Sequence, residues 1–478
     1  QMNLFKDMVC YQEEVRDPSR MAEVLNRVIE KAFRGSAPAQ INVPRDYWTQ
    51  VVDIELPPIV RFERQGGGKD AIDKAAKLLS EAKFPVILSG AGVVIGDAID
   101  DCKKLAEKLD APVCNGYQHN DSFPGSHPLA VGPLGYNGSK AAMELISKAD
   151  VVLALGTRLN PFSTLPGYGI DYWPKNATII QVDMNPDRIG LTKKVTVGIC
   201  GDAKMVSQQI LEKLTSNAGD NGREDRKNLI HQTKSAWLQT LTSLDHEDDD
   251  PGTVWNKEAR ERDSDRMSPR QAWRAIQAGM PEDVIISSDI GNNCAIGNAY
   301  PTFEKPRKYL APGLFGPCGY GFPSILGAKI GCPDTPVIGF AGDGAFGISM
   351  NEMSSCAREE WPAITMVIFR NYQWGAEKRN SILWFDDNFV GTELDPELSY
   401  AKVANACGLK GITAKTMDET TKAIKQSCED QKKGITTFIE VILNQELGEP
   451  FRRDAMKKPV RVAGIDKGDM KPQKSLVS

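Results

Sequence analysis

The stretch from Thr335 to Gly375 limits the possible folds more than any other part of the chain. An apolar run from Val337 to Ala341 stops at Gly342-Asp343-Gly344, and a segment with helical spacing of apolar residues follows. A second apolar run, Ile364 to Phe369, stops just before Asn371. This pattern predicts a strand, a crossover helix and a parallel strand. The carboxyl ends of parallel strands share one edge of a sheet, where open α/β folds bind ligands, so this edge is the expected site.

The residue types at the two strand ends favour a hard cation together with an anion. The Asp343 carboxylate and the Asn371 amide oxygen suit Mg²⁺ or Ca²⁺, and Mg²⁺ usually completes its shell with water and phosphate oxygens. Glycines beside Asp343 allow close approach of the backbone, and the helix N-terminus offers free N–H groups. A Gly-Asp-Gly turn alone is common in proteins. The weight of the pattern comes from Asn371, which is separated from Gly344 by 26 residues and lies at a second strand end.

Composition excludes several classes of protein. A chain of 478 residues is too long to form a single hydrophobic core, and we expect two to three domains. A net charge of −5 argues against a nucleic-acid or anionic-membrane partner. No apolar run approaches the length of a membrane span, and no signal peptide is recognisable. Ten scattered cysteines without a CxxC pair favour reduced thiols, so we expect a cytoplasmic protein.

The Gly-Asp-Gly turn followed by Asn at this distance resembles the signature of thiamine-diphosphate-dependent enzymes. In that family the Asp and Asn side chains, with the backbone carbonyl two residues after the Asn, hold a metal ion on the cofactor diphosphate. The resemblance implies Asp343, Asn371 and the carbonyl of Gln373 as ligands of Mg²⁺. It also implies thiamine diphosphate as the cofactor.

The same resemblance implies further cofactor contacts. The turn after the strand Val284–Ser287 is similar to the turn that meets the diphosphate, and Cys318 lies near the apolar residue that bends the cofactor. The implied cofactor-binding residues are Gly291, Asn292, Asn293, Cys318, Gly342, Gly344, Ala345, Asn371 and Gln373. A reactive thiol is the alternative role for Cys318, although no neighbouring base is evident. Gly90-Ala91-Gly92 follows another strand, and we interpret its domain as structural, although some relatives carry flavin there.

The resemblance implies an α/β fold: a three-domain architecture with parallel sheets flanked by helices, the first domain being mostly missing. The expected segments are a pyrimidine-binding remnant (1–55), a central α/β domain (69–214), a polar linker (215–267), a diphosphate-binding domain (268–446) and a C-terminal tail (447–478). Residues Asp17 to Arg34 are predicted to form an amphipathic helix, and Pro85–Ser89 and Val151–Leu155 to form central-domain strands. The activating glutamate of the family is expected upstream of Gln1, which would leave this chain alone catalytically incomplete.

Further motifs resemble the sulfoacetaldehyde acetyltransferase family over nearly the whole chain. They are Pro44-Arg45-Asp46-Tyr47, His119 to Pro124, Gly132 to Tyr136, Asp171 to Lys175, Gln373 to Lys378 and Pro450 to Asp454. This resemblance implies an acyltransferase of taurine or sulfonate degradation that converts sulfoacetaldehyde and phosphate to acetyl phosphate and sulfite. It also implies a homodimer or homotetramer, because the family builds its site between subunits.

Two substrate anions would need cations near the cofactor. The candidates are Lys378, Arg452 and Arg453, for which exposed helix charges and a surface tail are the alternative interpretations. Two other functions remain open at this point. One is a carboligase or decarboxylase similar to acetolactate synthase, and the other is a non-catalytic binding subunit.

Overall fold

The structure is a computed structural model that describes residues 1–58, 63–243, 261–313, 315–358, 360–384 and 389–446. The chain forms two compact units, Gln1–Arg64 and Gln65–Ser478. No helix within the described ranges is both long enough and apolar enough to cross a bilayer.

The first unit is a small β-α-β arrangement. Strand β1 (Tyr11–Glu14) pairs in parallel with β2 (Ala39–Asn42), and the helix Met21–Gly35 connects them. A short helix also covers Met2–Phe5. The amphipathic helix predicted for this region is therefore present, between two strands that run in the same direction.

Only part of the apolar face of the connecting helix is buried. Val24 and Val28 pack with Val15, whereas Leu25 and Ile29 are 42% and 45% exposed and Phe33 is 81% exposed. A two-stranded sheet is narrow and covers one side of a helix. The apolar face of this helix is wider than the strands that pack on it.

The second unit contains two parallel sheets, and the strands of the first are β3 (Pro85–Ser89), β4 (Val113–Asn115), β5 (Ala130–Pro133), β6 (Val151–Leu155), β7 (Thr178–Asp183) and β8 (Val197–Cys200). Their order is β5-β4-β3-β6-β7-β8. The helices of this part are Lys69–Glu81, Ala91–Ile95, Ile99–Leu109, Lys140–Ile146, Ala203–Lys213 and Arg223–Ser243. Every residue of β3 and β6 is buried, as expected for parallel strands covered by helices on both faces.

The helix Arg223–Ser243 corrects the expectation of a solvated polar linker over this stretch. Arg226 is 1% exposed, and its guanidinium donates five hydrogen bonds of 2.6 to 3.0 Å. The acceptors are the backbone carbonyls of Lys83, Leu109, Asp110, Gly219 and Asn221. The buried Arg226 therefore anchors the helix to the first sheet. The polar composition of the helix gave no indication of this contact. The acidic run 246–250 lies outside the described residues.

The second sheet consists of β9 (Ile285–Ser288), β10 (Tyr309–Leu310), β11 (Val337–Gly342), β12 (Thr365–Arg370), β13 (Lys410–Ala414) and β14 (Thr437–Ile442). Its order is β10-β9-β11-β12-β14-β13, so β9, β11 and β12 are neighbours. The accompanying helices are Pro269–Gly279, Asn292–Ile296, Gly321–Gly331, Asp343–Ser349, Met353–Cys356, Gly375–Trp384, Tyr400–Ala406 and Met417–Gln431. All pairings are parallel, which brings the ends of β9, β11 and β12 to one edge.

The helix Pro269–Gly279 supplies the aromatic centre of this second core. It begins with a capping box, in which the Ser268 and Gln271 side chains each accept a hydrogen bond from the other residue's backbone N–H. The fully buried Trp273 packs against Phe340 and Phe369, with ring centroids 4.8 and 5.3 Å apart. These contacts connect the helix to β11 and β12, the strands that end at the expected site.

Buried polar residues after β4 tie the two sheets together. Asn120 Nδ2 donates to the carbonyls of Asn298 and Pro301 at 2.9 and 2.8 Å. Asp121 Oδ2 accepts a hydrogen bond from Lys308 N at 2.9 Å. Since Asn298 closely follows the helix Asn292–Ile296, these bonds hold the first sheet against the elements around the end of β9.

Candidate functional site

Asp343 begins a helix directly after β11, and its side chain is 1% exposed. Oδ2 accepts hydrogen bonds from Arg370 Nη1 at 3.0 Å and Tyr372 N at 2.7 Å, and Oδ1 accepts one from Gly344 N at 2.9 Å. Burial raises the pKa of Asp343 to about 6, while the Arg370 charge and these hydrogen bonds act in the opposite direction. The carboxylate is fixed in orientation at the predicted edge of the sheet.

Asn371 follows β12, the strand next to β11, and is 2% exposed. Its Oδ1 has no hydrogen-bond partner among the described residues. Tyr372 adopts φ 61°, a left-handed conformation that bulky residues rarely take, so the chain turns sharply after Asn371. Gln373 follows the turn, and its Nε2 donates to the Gln445 carbonyl at 3.1 Å. A buried amide oxygen without a donor is costly in free energy and suits a cation as ligand.

The turn after β9 brings two further amides to the same edge. Gly291 has φ 134°, a conformation open to glycine, and Asn292 and Asn293 are each 5% exposed. Within the described residues, Asn292 Nδ2 and Asn293 Oδ1 have no hydrogen-bond partner. Trp273 Nε1 donates to the Asn293 carbonyl at 2.6 Å and thereby connects this turn to the core.

The turns after β9 and β12 converge on Gly375. A Cβ placed on Gly375 would lie 3.2 Å from Asn292 Nδ2, 3.6 Å from Gln373 Nε2 and 3.7 Å from Asn371 Nδ2. Asn292 lies about 80 residues before Asn371 and Gln373 in the sequence, and the sheet order brings them together. The absence of a side chain at Gly375 keeps the space between the amides open.

Gly344 permits a second close approach at the end of β11. A Cβ on this residue would lie 2.9 Å from two ring carbons of Trp374, so the indole packs directly over the first turn of the helix. Gly342 precedes that helix as its N-cap, and Ala345 is buried within it. The three predicted positions around Asp343 (Gly342, Gly344 and Ala345) therefore present backbone groups rather than large side chains.

The residues present fit a divalent cation and a diphosphate. Across the described ranges there is no group of three or more His, Cys, Asp or Glu side chains that would hold a metal by themselves. A cation bound to Asp343 would therefore need amide, carbonyl or phosphate oxygens as well. Among the described residues, Asn371 Oδ1 is an unpartnered amide oxygen of this kind, and the space at Gly375 lies beside the same amide group.

Cys318 lies on a loop that Asp289 holds in place. The Asp289 carboxylate accepts hydrogen bonds from Gly319 N at 3.1 Å and Gly321 N at 2.7 Å. Partial desolvation and the Asp289 charge raise the pKa of the Cys318 thiol. A raised pKa lowers the thiolate fraction, which argues against the alternative of a reactive thiol.

A pocket of about 200 Å³ opens beside the turn after β9. Ile290, Gly291 and Asn292 line it from the second sheet, and Tyr117 and Tyr136 are among the residues that line it from the first. The pocket is thus a space for a small molecule where the two sheets face each other, adjacent to the predicted cofactor turn.

Lys378 is engaged with other side chains in the structure. Its Nζ lies 2.5 Å from Glu393 Oε1 and 3.4 Å from Gln445 Oε1. Gln445 Nε2 in turn donates to Glu393 Oε2 at 2.9 Å. The Lys378 charge is therefore paired with a carboxylate next to the turn at Gln373. Arg452 and Arg453 lie outside the described residues.

Sequence reasoning missed the buried charges behind Asp343. Arg370 is fully buried at the end of β12, and Glu440 is 2% exposed within β14. The Tyr400 hydroxyl donates to the Asp343 carbonyl at 2.9 Å. The available signal was the presence of a charge inside each apolar strand pattern, because buried charges are rare unless paired. Nothing in the local pattern identifies the partner.

Comparison with known proteins identifies the family of the chain. Two models of thiamine pyrophosphate enzymes match the chain, the central domain over residues 72–214 and the C-terminal TPP binding domain over residues 289–441. The benzoylformate decarboxylase of Polynucleobacter necessarius has a similar structure, with a TM-score of 0.71, 20% identity and coverage of 94% of this chain and 78% of that one. This likeness confirms the predicted α/β architecture.

Other relatives have a much higher sequence identity to the chain. The chain is 77% identical to a "Probable sulfoacetaldehyde acetyltransferase" of Rhizobium meliloti, over 100% of this chain and 80% of the relative. It is 74% identical to a "Sulfoacetaldehyde acetyltransferase" of Roseovarius nubinhibens, over 99% of this chain and 78% of the relative. A "Probable acetolactate synthase large subunit" of Methanococcus aeolicus is only 28% identical, over 89% and 71%. The chain therefore belongs to the sulfoacetaldehyde acetyltransferase family of thiamine pyrophosphate enzymes.

Proposed function

We propose that this protein is an acyltransferase that converts sulfoacetaldehyde and phosphate to acetyl phosphate and sulfite, with thiamine diphosphate as cofactor and Mg²⁺ as metal. The observation that carries the proposal is the 77% identity over the whole chain to a relative named for this activity. The arrangement of Asp343, Asn371 and Asn292 at one sheet edge supports it, because these groups suit a metal-bound diphosphate.

The chain offers separate groups to the metal and to the diphosphate. Asp343, Asn371 and the carbonyl of Gln373 would hold Mg²⁺. The residues proposed to face the diphosphate are Gly291, Asn292, Asn293, Gly342, Gly344 and Ala345. Supporting this division, Asn371 Oδ1 is a buried acceptor without a donor and Asn292 Nδ2 is a buried donor without an acceptor, among the residues described.

When bound, thiamine diphosphate supplies the carbanion chemistry that the side chains of a protein lack. The chain's own residues bind, orient and shield it. Asp343 and Asn371 are almost inaccessible to water, so electrostatic interactions at this edge are stronger than in solvent. Cys318, on the loop that Asp289 holds, would offer an apolar contact to the cofactor.

The two substrate anions require cationic partners, and we propose Lys378, Arg452 and Arg453 for the sulfonate or the phosphate. Lys378 is near the turn at Gln373 through their shared neighbour Gln445. Its use would require an anion to replace or join Glu393.

We further propose a homodimer or homotetramer in the cytoplasm. Residues 1–55 would belong to the pyrimidine-binding domain, 69–214 to the central domain and 268–446 to the diphosphate-binding domain, with 215–267 between them and 447–478 as the tail. The two matching domain models support the second and third assignments.

The direct test is an assay of the full-length protein with sulfoacetaldehyde, phosphate, Mg²⁺ and thiamine diphosphate. Sulfite and acetyl phosphate are expected in equal amounts, and Asp343→Ala should abolish both. Asp430→Asn is the matched control, because Asp430 is a buried, ion-paired carboxylate of the same domain, near the amino ends of the strands. Acetolactate from pyruvate, without sulfite from sulfoacetaldehyde, would contradict the proposal and assign a carboligase.

A further inference from the structure

Arg370 places a buried positive charge directly behind Asp343. Its Nη1 lies 3.0 Å from Asp343 Oδ2, and both side chains are 1% exposed. Nη2 donates to the carbonyl of Asp395, and the rings of Tyr372 and Tyr400 flank the guanidinium at 4.2 and 5.4 Å. Since these contacts hold the guanidinium on several sides, its position relative to Asp343 is fixed.

Glu440 supplies a second carboxylate to the same guanidinium. Its Oε1 lies 3.8 Å from Arg370 Nε, and its side chain is 2% exposed. Ser399 Oγ and Tyr400 N donate to Glu440 at 2.6 and 3.1 Å. With Asp343, the three groups carry one positive and two negative charges. Without Glu440, the ion pair of Arg370 and Asp343 would be neutral and would attract a cation less strongly.

Among the described residues, the hydrogen bonds of Asp343 leave one acceptor position available, on Oδ1. An ionised carboxylate has about four acceptor positions, two on each oxygen. Arg370 Nη1 and Tyr372 N fill the two acceptor positions on Oδ2, whereas Gly344 N fills one of the two on Oδ1. A cation at this edge is therefore directed to Oδ1. Binding through one oxygen of Asp343 is compatible with the strict octahedral preference of Mg²⁺.

We propose that Arg370 and Glu440 are positioning residues for the metal ion. Arg370 occupies one oxygen of Asp343 so that the other faces the cation, and Glu440 offsets the Arg370 charge so that a net negative charge remains. This inference rests on the proposed function, because the cation is the Mg²⁺ that would hold thiamine diphosphate. An apolar residue at position 370 would leave both carboxylates buried without a cation, which is strongly unfavourable.

The test is a Mg²⁺ titration of the full-length protein at saturating thiamine diphosphate, followed by tryptophan fluorescence. Trp374 packs over Gly344 and should report occupancy of the site. Glu440→Gln preserves shape and removes one charge, and it should weaken Mg²⁺ binding about tenfold, in the range usual for residues that orient metal ligands. Arg370→Lys preserves the charge and loses the planar fork, so it should weaken binding to a similar extent.

Asp430→Asn is the control for the loss of a buried, ion-paired carboxylate. Asp430 is 3% exposed and pairs with Lys410 at 2.5 Å, and its substitution should lower thermal stability with unchanged Mg²⁺ affinity. Wild-type affinity in Glu440→Gln or in Arg370→Lys would overturn the role of that residue. A wild-type protein that binds Mg²⁺ but releases no sulfite would contradict the proposed reaction and leave this inference intact. Failure of the wild type to bind Mg²⁺ would overturn both.

Discussion

Lowering the pH is expected to weaken Mg²⁺ binding through protonation of Asp343. Burial raises the pKa of this carboxyl from 3.8 to about 6 in the metal-free protein. A divalent cation binds the ionised form, so each proton bound to Asp343 competes with the metal. Metal affinity should therefore be constant above about pH 7 and should fall as the pH decreases through about 6.

The magnitude follows from the pKa. With a value of about 6, roughly ten in eleven Asp343 carboxyls are protonated at about pH 5, so the apparent affinity should fall about tenfold from that at about pH 7.5, or about 1.4 kcal/mol. Stability of the metal-free protein has the opposite dependence, because the folded-state pKa lies above the unfolded value. The contribution, about 3 kcal/mol, is fully present below about pH 3.8 and is lost as the pH rises through about 6.

Calorimetric titration of Mg²⁺ at saturating thiamine diphosphate, repeated across this pH range, measures the effect. The cofactor diphosphate itself binds protons, so Asp343→Asn is needed as a reference that retains only the cofactor's contribution. Over this pH range the apparent Mg²⁺ affinity of the wild type should fall about tenfold more than that of Asp343→Asn. Equal pH dependence in wild type and Asp343→Asn would refute the assignment of Asp343 as the titrating metal ligand.

Three further substitutions test other contacts of the second unit. Gly375→Ala places a Cβ 3.2 Å from Asn292 Nδ2 and should weaken cofactor binding about tenfold in a fluorescence titration, with little change in melting temperature; unchanged affinity would show that this space is not used. Arg226→Met leaves five carbonyls without their donor and should lower the free energy of unfolding in urea by about 3 to 5 kcal/mol, and a loss under about 1 kcal/mol would contradict the anchoring role. Asp121→Ala removes the acceptor of Lys308 N and should cost about 1 to 3 kcal/mol in the same assay, whereas no loss would show that the contact between the sheets is dispensable.

Local sequence determined the strands that cross the interior. β3 and β6 have the predicted bounds, β11 ends one residue beyond its predicted apolar run, and β12 is shifted by one residue, from 364–369 to Thr365–Arg370. Fully buried parallel strands give continuous apolar runs, so their bounds are visible without knowledge of their neighbours. The helix Arg223–Ser243 gave no such signal, because it is mostly polar and its buried residues include the charged Arg226.

Sequence also located the two ends of the candidate site. Asp343 and Asn371 were predicted to share an edge because each follows an apolar run that reads as a strand of one parallel sheet. The sheet order confirms that their strands are neighbours. Their assignment as metal ligands stays a prediction that the titrations above address.

Tertiary structure alone decided which charges meet. Arg370 pairs with Asp343 and Glu440 across three neighbouring strands, and Lys378 pairs with Glu393 beside the site. A charge in a strand pattern shows that a partner is needed but does not name it, because the partner is set by strand order and loop return. Apolar burial has no such specificity, since it depends on area and not on direction. The sequence alone therefore determined several interior strands and the site residues at the ends of β11 and β12, and the fold decided which charges meet between them.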